Sequence, residues 1–526
     1  MSHSKRRDGA SPRRAEHPPI GYNGEIGRVC IPVRFVEKVR LLVTILCLLA
    51  SASPASAQPA YLGNELLINE YTTGAQNNPS AAAVPDGGFI MTWETFGSDG
   101  DNGGIAARRF NADGTAAGSE FTVNTYVVLR QGAPQVSTAD DGSFVVVWEG
   151  EIQDGSGYGI FGQRYDANGV TVGTEFPVNT YITSDQRNPD VSMTGDGNFV
   201  VVWASQGQDG SGSSVIARLF GNDGLPASDE FTVNTYTSLG QYTPRVDTAA
   251  DGSFVVVWAS YDGRDGAGYG VFGQRFSPAG LPSGTEFAIN QFTLGDQRRP
   301  AVAVTPTGFM VVWDSDGNDG SNLGIAGRLY DSTGLPVGDE FVVNTYDYDN
   351  QYRADIAADS NGGFVIAWDS IGLDGDGTAV ISQQFDAAGV VTGPELVINT
   401  SVIGDQSAPT IAASASGKYV IAWTDELKDS SASAVVAQRM LDTAPECGKA
   451  TDQPLLVVGA DLSGGAALVT ATDALAILNA SVGVGECPLC LCDTSGNFFV
   501  TATDALITLN AAVQLPANLM CPNVCI

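Results

Sequence analysis

Residues 141–148 read Asp-Gly-Ser-Phe-Val-Val-Val-Trp, and close copies of this segment recur along the chain. The tryptophan that ends each copy returns every 55 residues, and the series contains all 7 tryptophans of the 526-residue chain: Trp93, Trp148, Trp203, Trp258, Trp313, Trp368 and Trp423. So long and regular a period indicates a repeat architecture, in which one supersecondary unit is copied and stacked. The apolar run before each tryptophan does not alternate with polar residues, which is typical of a strand buried on both faces.

Each repeat contains three further segments that resemble strands. After Trp148 the Asp154-Gly155 dipeptide leads into residues 159–165, and the segments 175–181 and 189–193 follow. Asp and Gly both tolerate positive φ, so this dipeptide favours a tight turn between strands. Four short strands in each 55-residue repeat match the size of one β-propeller blade. We expect the tryptophans to pack between neighbouring blades.

The two ends of the array distinguish a closed ring from an open stack. A segment similar to Glu-Phe-x-Val-Asn also occurs seven times, but its first copy, residues 65–69, precedes the first tryptophan. No copy follows Trp423, so the last repeat lacks the strand with which the array begins. Pairing between the two would leave no open sheet edge. The sequence therefore predicts a mainly β fold, a closed seven-bladed propeller over residues 58–441 whose N-terminal strand closes the last blade.

Charge and the N-terminal residues bear on the compartment. The formal net charge of the chain is −33. Residues 1–57 carry nine basic and four acidic groups. Residues 58–526 therefore carry 17 basic and 55 acidic groups, a net charge of −38. Such a surface repels nucleic acid and anionic membranes. Residues 1–57 are typical of a leader with a signal peptide, because the apolar run 41–50 follows Lys38 and Arg40 and precedes a small-residue cleavage site at 55–57. This run is too short to span a membrane, so we expect a secreted or cell-surface protein.

Cysteines mark a separate C-terminal domain over residues 442–526. Six cysteines fall in this region and none in the propeller: Cys447, Cys487, Cys490, Cys492, Cys521 and Cys525. An even number in a short exported module predicts a disulfide framework, whose pairing the spacing leaves open. The alternative is a zinc site, since Cys487 and Cys490 have the spacing of metal ligands.

The same region contains a duplication, residues 461–480 and 493–512, in which oxygen-bearing side chains precede an amphipathic helix pattern. This arrangement is similar to the paired calcium loops of the dockerin domain, over roughly residues 455–515. The resemblance implies a small α-helical module that binds calcium and a cohesin-like partner. Phe498 departs from the family pattern, which has glycine there; the alternative is a module held by disulfides with metal-free loops. The ligands that the resemblance implies are Asp461, Ser463, Asp473, Asp493, Ser495, Asn497, Asp504 and the carbonyl of Phe499.

Several classes of catalysis are excluded by composition. Both histidines, His3 and His17, lie in the leader, so residues 58–526 lack Ser-His-Asp and Cys-His centres and histidine metal sites. Paired carboxylates for glycoside hydrolysis remain compatible with the composition. A catalytic site should break the repeat symmetry, however, and we expect no repeat to carry unmatched acids.

One face of the predicted propeller is a candidate binding surface. The turns after the second strands and the links between blades emerge on the same side, where aspartates and aromatic residues recur. Aspartates bind calcium and exposed aromatic rings stack on sugars; the alternative is that these residues serve turns, hydrogen bonds and blade packing. The candidates are Asp99, Asp154, Asp209, Asp265, Asp319, Asp374, Tyr126, Tyr181, Tyr236 and Tyr346. Arg264, Arg298 and Arg299 add a local basic character, which we interpret as surface variation or, alternatively, as a contact for an anionic ligand.

Together these features favour a secreted, non-enzymatic binding or scaffold protein. Its propeller would recognise a polysaccharide or a protein, and its C-terminal module would attach it elsewhere through calcium. Two alternatives remain open at this point. One is an extracellular carbohydrate-active enzyme, a glycoside hydrolase or lyase, and the other is a structural surface or adhesion protein.

Overall fold

The computed structural model describes residues 59–441, apart from 99, 101, 321, 430 and 431. The predicted leader and the predicted C-terminal module, with its six cysteines and candidate calcium ligands, lie outside the described residues. Those interpretations therefore stay predictions.

The described residues form 29 strands, β1 to β29, arranged in seven antiparallel sheets. We number the sheets as blades one to seven in the order of their tryptophans. Two short strands precede blade one: β1 (Ala60–Tyr61) and β2 (Leu66–Leu67). Blade one contains β3 (Gln76–Ala83), β4 (Phe89–Thr95), β5 (Gly104–Phe110) and β6 (Phe121–Thr122). Blade two contains β7 (Gln131–Thr138), β8 (Phe144–Glu151), β9 (Tyr158–Tyr165) and β10 (Thr171–Pro177).

The remaining blades repeat this order of four strands. Blade three contains β11 (Gln186–Met193), β12 (Phe199–Gln206), β13 (Ser213–Phe220) and β14 (Phe231–Thr232). Blade four contains β15 (Gly240–Thr248), β16 (Phe254–Tyr261), β17 (Gly270–Phe276) and β18 (Phe287–Ala288). Blade five contains β19 (Gln297–Thr305), β20 (Gly308–Asp316), β21 (Leu323–Asp331) and β22 (Phe341–Val342). Blade six contains β23 (Gln351–Ala358), β24 (Phe364–Ile371), β25 (Thr378–Phe385) and β26 (Leu396–Val397). Blade seven contains β27 (Gln406–Ala413), β28 (Lys418–Asp425) and β29 (Ala434–Leu441), completed by β1 and β2.

The hydrophobic core lies between blades, as the apolar second strands predict. All seven tryptophans are at most 1% exposed. Trp148 of blade two shares one apolar cluster with Ile90 and Val123 of blade one, and Trp93 shares another with Val435 of blade seven. Each blade is thus held mainly by burial of apolar surface against its neighbours, which is the usual source of stability in stacked repeats.

The N-terminal strands close the ring, and the closed seven-bladed propeller is confirmed. Leu66 and Leu67 pair with Ala437 and Val436 of β29, and Ala60 pairs with Leu441. Glu65 accepts a hydrogen bond from the backbone of Thr400 in blade six, as the equivalent Glu120 does from the backbone of Glu70 one blade along. Among the described residues, no helix has the length and apolar character to cross a membrane.

Candidate functional site at the mouth of the central channel

The innermost strands of the seven blades surround a central cavity of about 470 Å³. Each blade contributes one stretch of four residues: 78–81, 133–136, 188–191, 243–246, 299–302, 353–356 and 408–411. We call this cavity, together with the residue that precedes each stretch, the channel mouth. The ring places side by side residues that lie about one repeat apart in the sequence.

A β-bulge in every inner strand shapes the channel mouth. The pairing with the second strand shifts by one residue at this point in all seven blades. The first residue of each stretch has a φ between 48° and 56°, although none of the seven is glycine: Asn78, Ala133, Asn188, Thr243, Arg299, Arg353 and Ala408. Bulges redirect side chains, and a non-glycine residue with positive φ is strained unless its surroundings hold it.

Buried acids hold four of these bulges. Glu94 of blade one accepts a hydrogen bond of 2.7 Å from the backbone N–H of Ala133 in blade two. Glu149, Asp314 and Asp369 accept the equivalent bond from the next blade, at 3.1, 2.8 and 3.3 Å. All four acids directly follow a tryptophan and are at most 3% exposed. The same position in blades three, four and seven carries Ala204, Ala259 and Thr424.

Two further acids lie in the wall of the cavity. Asp190 accepts a hydrogen bond of 2.8 Å from the backbone of Val246, and Asp355 accepts one of 3.0 Å from Ile411. Burial raises the pKa of Asp190 to about 6 and raises the pKa of Asp355 as well. Arg245, from blade four, brings Nη1 to 3.8 Å from Asp190 Oδ1 of blade three. The expectation that no repeat carries unmatched acids is therefore wrong, because equivalent positions hold Ser80, Gln135, Ala301 and Thr410.

The channel mouth is chemically asymmetric. In blades three to six, the bulge and its flanking residues include five half-exposed arginines: Arg187, Arg245, Arg298, Arg299 and Arg353. Three of them, Arg245, Arg299 and Arg353, line the cavity. In blades seven, one and two the bulge and the residue before it are small or neutral: Ser407, Ala408, Asn77, Asn78, Gly132 and Ala133. The repeat pattern had singled out only Arg298 and Arg299. An alignment of the seven inner strands at the bulge reveals the others.

The three arginines nearest the cavity are anchored by ion pairs. Arg299 Nη1 lies 2.7 Å from Asp314 Oδ2, and Arg353 Nη1 lies 3.2 Å from Asp369 Oδ2. Burial raises the pKa of Asp314 to about 6 and that of Asp369 to about 8. A guanidinium group carries five N–H donors, so a pair made through one nitrogen leaves most donors available.

Aromatic rings flank the basic side. Tyr261 and Tyr269 have ring centroids 4.7 Å apart, and Tyr242 lies 6.1 Å from Tyr269. The guanidinium of Arg298 lies over Tyr269, 5.3 Å from its centroid. Tyr261 is 50% exposed and Tyr242 is 37% exposed, so both present ring surface to solvent. This combination of exposed rings and fixed donors is suited to a polar ligand with apolar faces.

The aspartates of the predicted binding face make structural contacts. Asp154 Oδ2 accepts a hydrogen bond of 3.1 Å from the side chain of Asn179, whose own oxygen accepts from the backbone of Ile160. Asp265, Asp319 and Asp374 make the equivalent contact with Asn290, Asn344 and Asn399. Asp209 accepts a bond from the backbone of Ser211, and Asp99 lies outside the described residues. Within the described part of the chain, no group of three or more acidic, cysteine or histidine side chains is placed to hold a metal ion.

The tyrosines of that face are not brought together at the channel mouth. Tyr126, Tyr181 and Tyr346 are half-buried in the links between blades. Tyr236 is 37% exposed, and the guanidinium of Arg264 lies 4.4 Å from its ring centroid. Arg264 itself forms ion pairs with Asp262 and Glu286, and these two carboxylates neutralise its charge.

Comparison with known proteins is limited to the fold. No family model matches this chain, and no curated protein matches its sequence. A protein of unknown function from Dyadobacter fermentans DSM 18053 is 10% identical, with a TM-score of 0.45 over 73% of this chain and 99% of that chain. An α-L-arabinanase from Penicillium chrysogenum is 11% identical, with a TM-score of 0.41 over 71% and 98%. An α-L-arabinofuranosidase from Fusarium graminearum is 12% identical, with a TM-score of 0.41 over 72% and 98%.

Proposed function

We propose that this protein is a secreted, non-enzymatic binding protein whose propeller holds a polysaccharide at the channel mouth. The observation that carries the proposal is the asymmetry of that mouth. In a ring of similar repeats, residues that serve the fold recur in every blade, as the tryptophans do. The arginines and tyrosines of blades three to six do not occur in every blade, so the common propeller fold forms without them in the other blades.

A saccharide fits the chemistry of this site. Sugars present hydroxyl groups to hydrogen-bond donors and flat C–H faces to aromatic rings, and the channel mouth offers both. Its guanidinium groups are donors only, and Tyr242 and Tyr261 expose ring surface next to Tyr269, over which Arg298 lies.

Binding is favoured over catalysis because the acids of the site already have structural partners. Glu94, Glu149, Asp314 and Asp369 each accept a backbone hydrogen bond from the next blade. Asp190 and Asp355 each accept one from the residue three positions after the bulge residue of the next blade, Val246 and Ile411. Moving any of these carboxylates towards a substrate would leave a buried N–H without a partner, which costs about 1–3 kcal/mol.

A binding assay tests the proposal. The mature chain is titrated by calorimetry with the polysaccharides that it retains from a glycan array. We expect Tyr242→Ala with Tyr261→Ala to weaken binding about tenfold, since each lost stacking contact contributes about 0.5–1.5 kcal/mol. Tyr61→Ala is the matched control, because Tyr61 is 45% exposed but belongs to the outer edge of blade seven. An array on which no glycan is retained contradicts the proposal.

A carbohydrate-active enzyme is the second candidate, and Asp190 is the observation that favours it. A carboxyl group with a pKa of about 6, beside an open channel, is suited to donate a proton to a glycosidic oxygen. Asp355 would be the second carboxylate. This candidate requires the release of reducing ends from a bound polysaccharide and the loss of that release in Asp190→Asn. Binding without release supports the non-enzymatic proposal.

We propose further that residues 442–526 attach the protein elsewhere in a calcium-dependent manner, through a cohesin-like partner. The duplicated loop pattern supports this role. Calorimetry with calcium should show binding that Asp493→Ala with Asp504→Ala abolishes. A structural surface or adhesion role is distinguished by fractionation of the producing cells, because an adhesion protein stays with the cells.

A further inference from the structure

We infer that the polysaccharide is acidic, and that Arg245, Arg299 and Arg353 bind the carboxylate of a uronate residue at the channel mouth. This inference rests on the function proposed above and names the class of its ligand. The three arginines come from blades four, five and six, which are consecutive, and all three line the same cavity.

The cluster runs against the composition of the chain. Residues 58–526 carry 17 basic and 55 acidic groups, and yet three of those basic groups line one cavity. The acidic surface keeps the protein soluble without them. Solubility therefore does not explain the cluster. Pairing with Asp190, Asp314 and Asp369 accounts for part of each guanidinium group, and the remaining N–H donors are available to a ligand of opposite charge.

The buried aspartates orient the arginines and leave most of their N–H donors available to a ligand. Asp314 and Asp369 are at most 1% exposed and hold Arg299 and Arg353 from inside the wall. The two arginine side chains are 47% and 43% exposed, and both line the cavity. Such pre-organisation reduces the entropy lost on binding, and a guanidinium group matches a carboxylate through two parallel hydrogen bonds.

Two neighbours favour a single negative charge on a sugar. Asp190 of blade three and Asp355 of blade six also line the cavity, and two carboxylates repel a doubly charged group such as a phosphate monoester more strongly than a singly charged uronate. Thr243, which follows Tyr242 and also lines the cavity, has a buried hydroxyl without a hydrogen-bond partner in the described part of the chain. A sugar hydroxyl would supply that partner.

The test compares four polymers on the full mature chain by calorimetry: polygalacturonate, its methyl ester, neutral galactan and dextran sulfate. We expect binding to polygalacturonate, a loss of at least tenfold on methyl esterification, and weaker binding to the other two. Arg299→Ala and Arg353→Ala should each weaken polygalacturonate binding about tenfold or more. Arg109→Ala, in blade one, removes the same charge away from the cavity and should leave binding unchanged.

A second variant covers a folding defect, because Arg299→Ala leaves the buried Asp314 without its cation. Arg299→Lys keeps the positive charge beside Asp314, so this variant should fold. It loses the paired N–H donors of the guanidinium group, so it should bind polygalacturonate several-fold more weakly than the unchanged protein. Equal binding of the acid and its methyl ester overturns the inference and leaves the proposed function intact. Equally tight binding of dextran sulfate overturns the assignment to carboxylate. Binding to none of these polymers or of the array glycans overturns the proposed function itself.

Discussion

At the scale of single residues, Glu94 shows how one side chain joins two blades. It is 2% exposed, accepts 2.7 Å and 3.1 Å hydrogen bonds from Ala133 and Asn78, and lies 2.9 Å from Arg130. A buried carboxylate is costly unless it is paired and hydrogen-bonded, and here it has both kinds of partner. It thereby stabilises the positive φ of the bulges in blades one and two.

Glu94→Ala should therefore destabilise the protein by about 3–5 kcal/mol, because it leaves a buried N–H and a half-buried guanidinium without their acceptor. Urea denaturation measures the change. Glu426→Ala is the control, since that side chain is exposed, and it should change the free energy of unfolding by less than about 0.5 kcal/mol. If both substitutions had equally small effects, the carboxylate would not hold the bulges.

At the scale of elements, the N-terminal strand β2, which closes the ring, packs against the neighbouring blade in the same way as the fourth strands of the other blades. Ile68, just after β2, is fully buried in the cluster between blades seven and one. Ile289 and Ile398 occupy the equivalent position in blades four and six and are equally buried. The contribution of Ile68 to stability at the ring closure can therefore be compared with the contributions of Ile289 and Ile398 in blades four and six.

We expect Ile68→Ala, Ile289→Ala and Ile398→Ala each to lower the free energy of unfolding by about 2–5 kcal/mol, because each creates a cavity of the same kind. Thermal and urea denaturation of the three variants give the comparison. A harmless Ile68→Ala beside two damaging variants would mean that the N-terminal segment does not close the ring.

At the scale of the whole molecule, buried carboxyl groups couple stability to pH. Burial raises the pKa of Asp190, Asp247 and Asp314 from 3.8 to about 6, and that of Asp369 to about 8. Between these values and 3.8 the folded chain binds more protons than the unfolded chain. The stability contributed by these groups is therefore complete below about pH 4 and is lost as the pH rises through 6 and 8.

We accordingly expect Tm to be several degrees higher at pH 5 than at pH 8, measured by differential scanning calorimetry at constant ionic strength. The net charge of −33 acts in the same direction, since repulsion grows as carboxyl groups ionise. Asp369→Asn should reduce the difference, because its amide does not titrate. A Tm that rises with pH across this range would contradict the assignment of raised pKa values.

The fold was largely predictable, because a propeller repeats one local pattern. The tryptophan period indicated seven blades, and the position of residues 65–69 before the first tryptophan indicated the closure. The turn aspartates were correctly placed in turns, but their partners, such as Asn179 for Asp154, needed the structure. Most residues of the channel mouth were not predicted, because the repeat pattern identifies positions that are alike in every blade and the channel mouth consists of positions at which the blades differ.

Local patterns of burial and turn formation, repeated at a constant spacing, were enough to establish the strands, the number of blades and the closed ring. They act between residues close in the chain or at equivalent places in adjacent repeats. The meeting of Arg245, Arg299 and Arg353 around one cavity has no such local signature. It arises because ring closure brings the bulges of all seven blades around one axis. Residues at which the repeats differ, although far apart in the sequence, then line the same cavity.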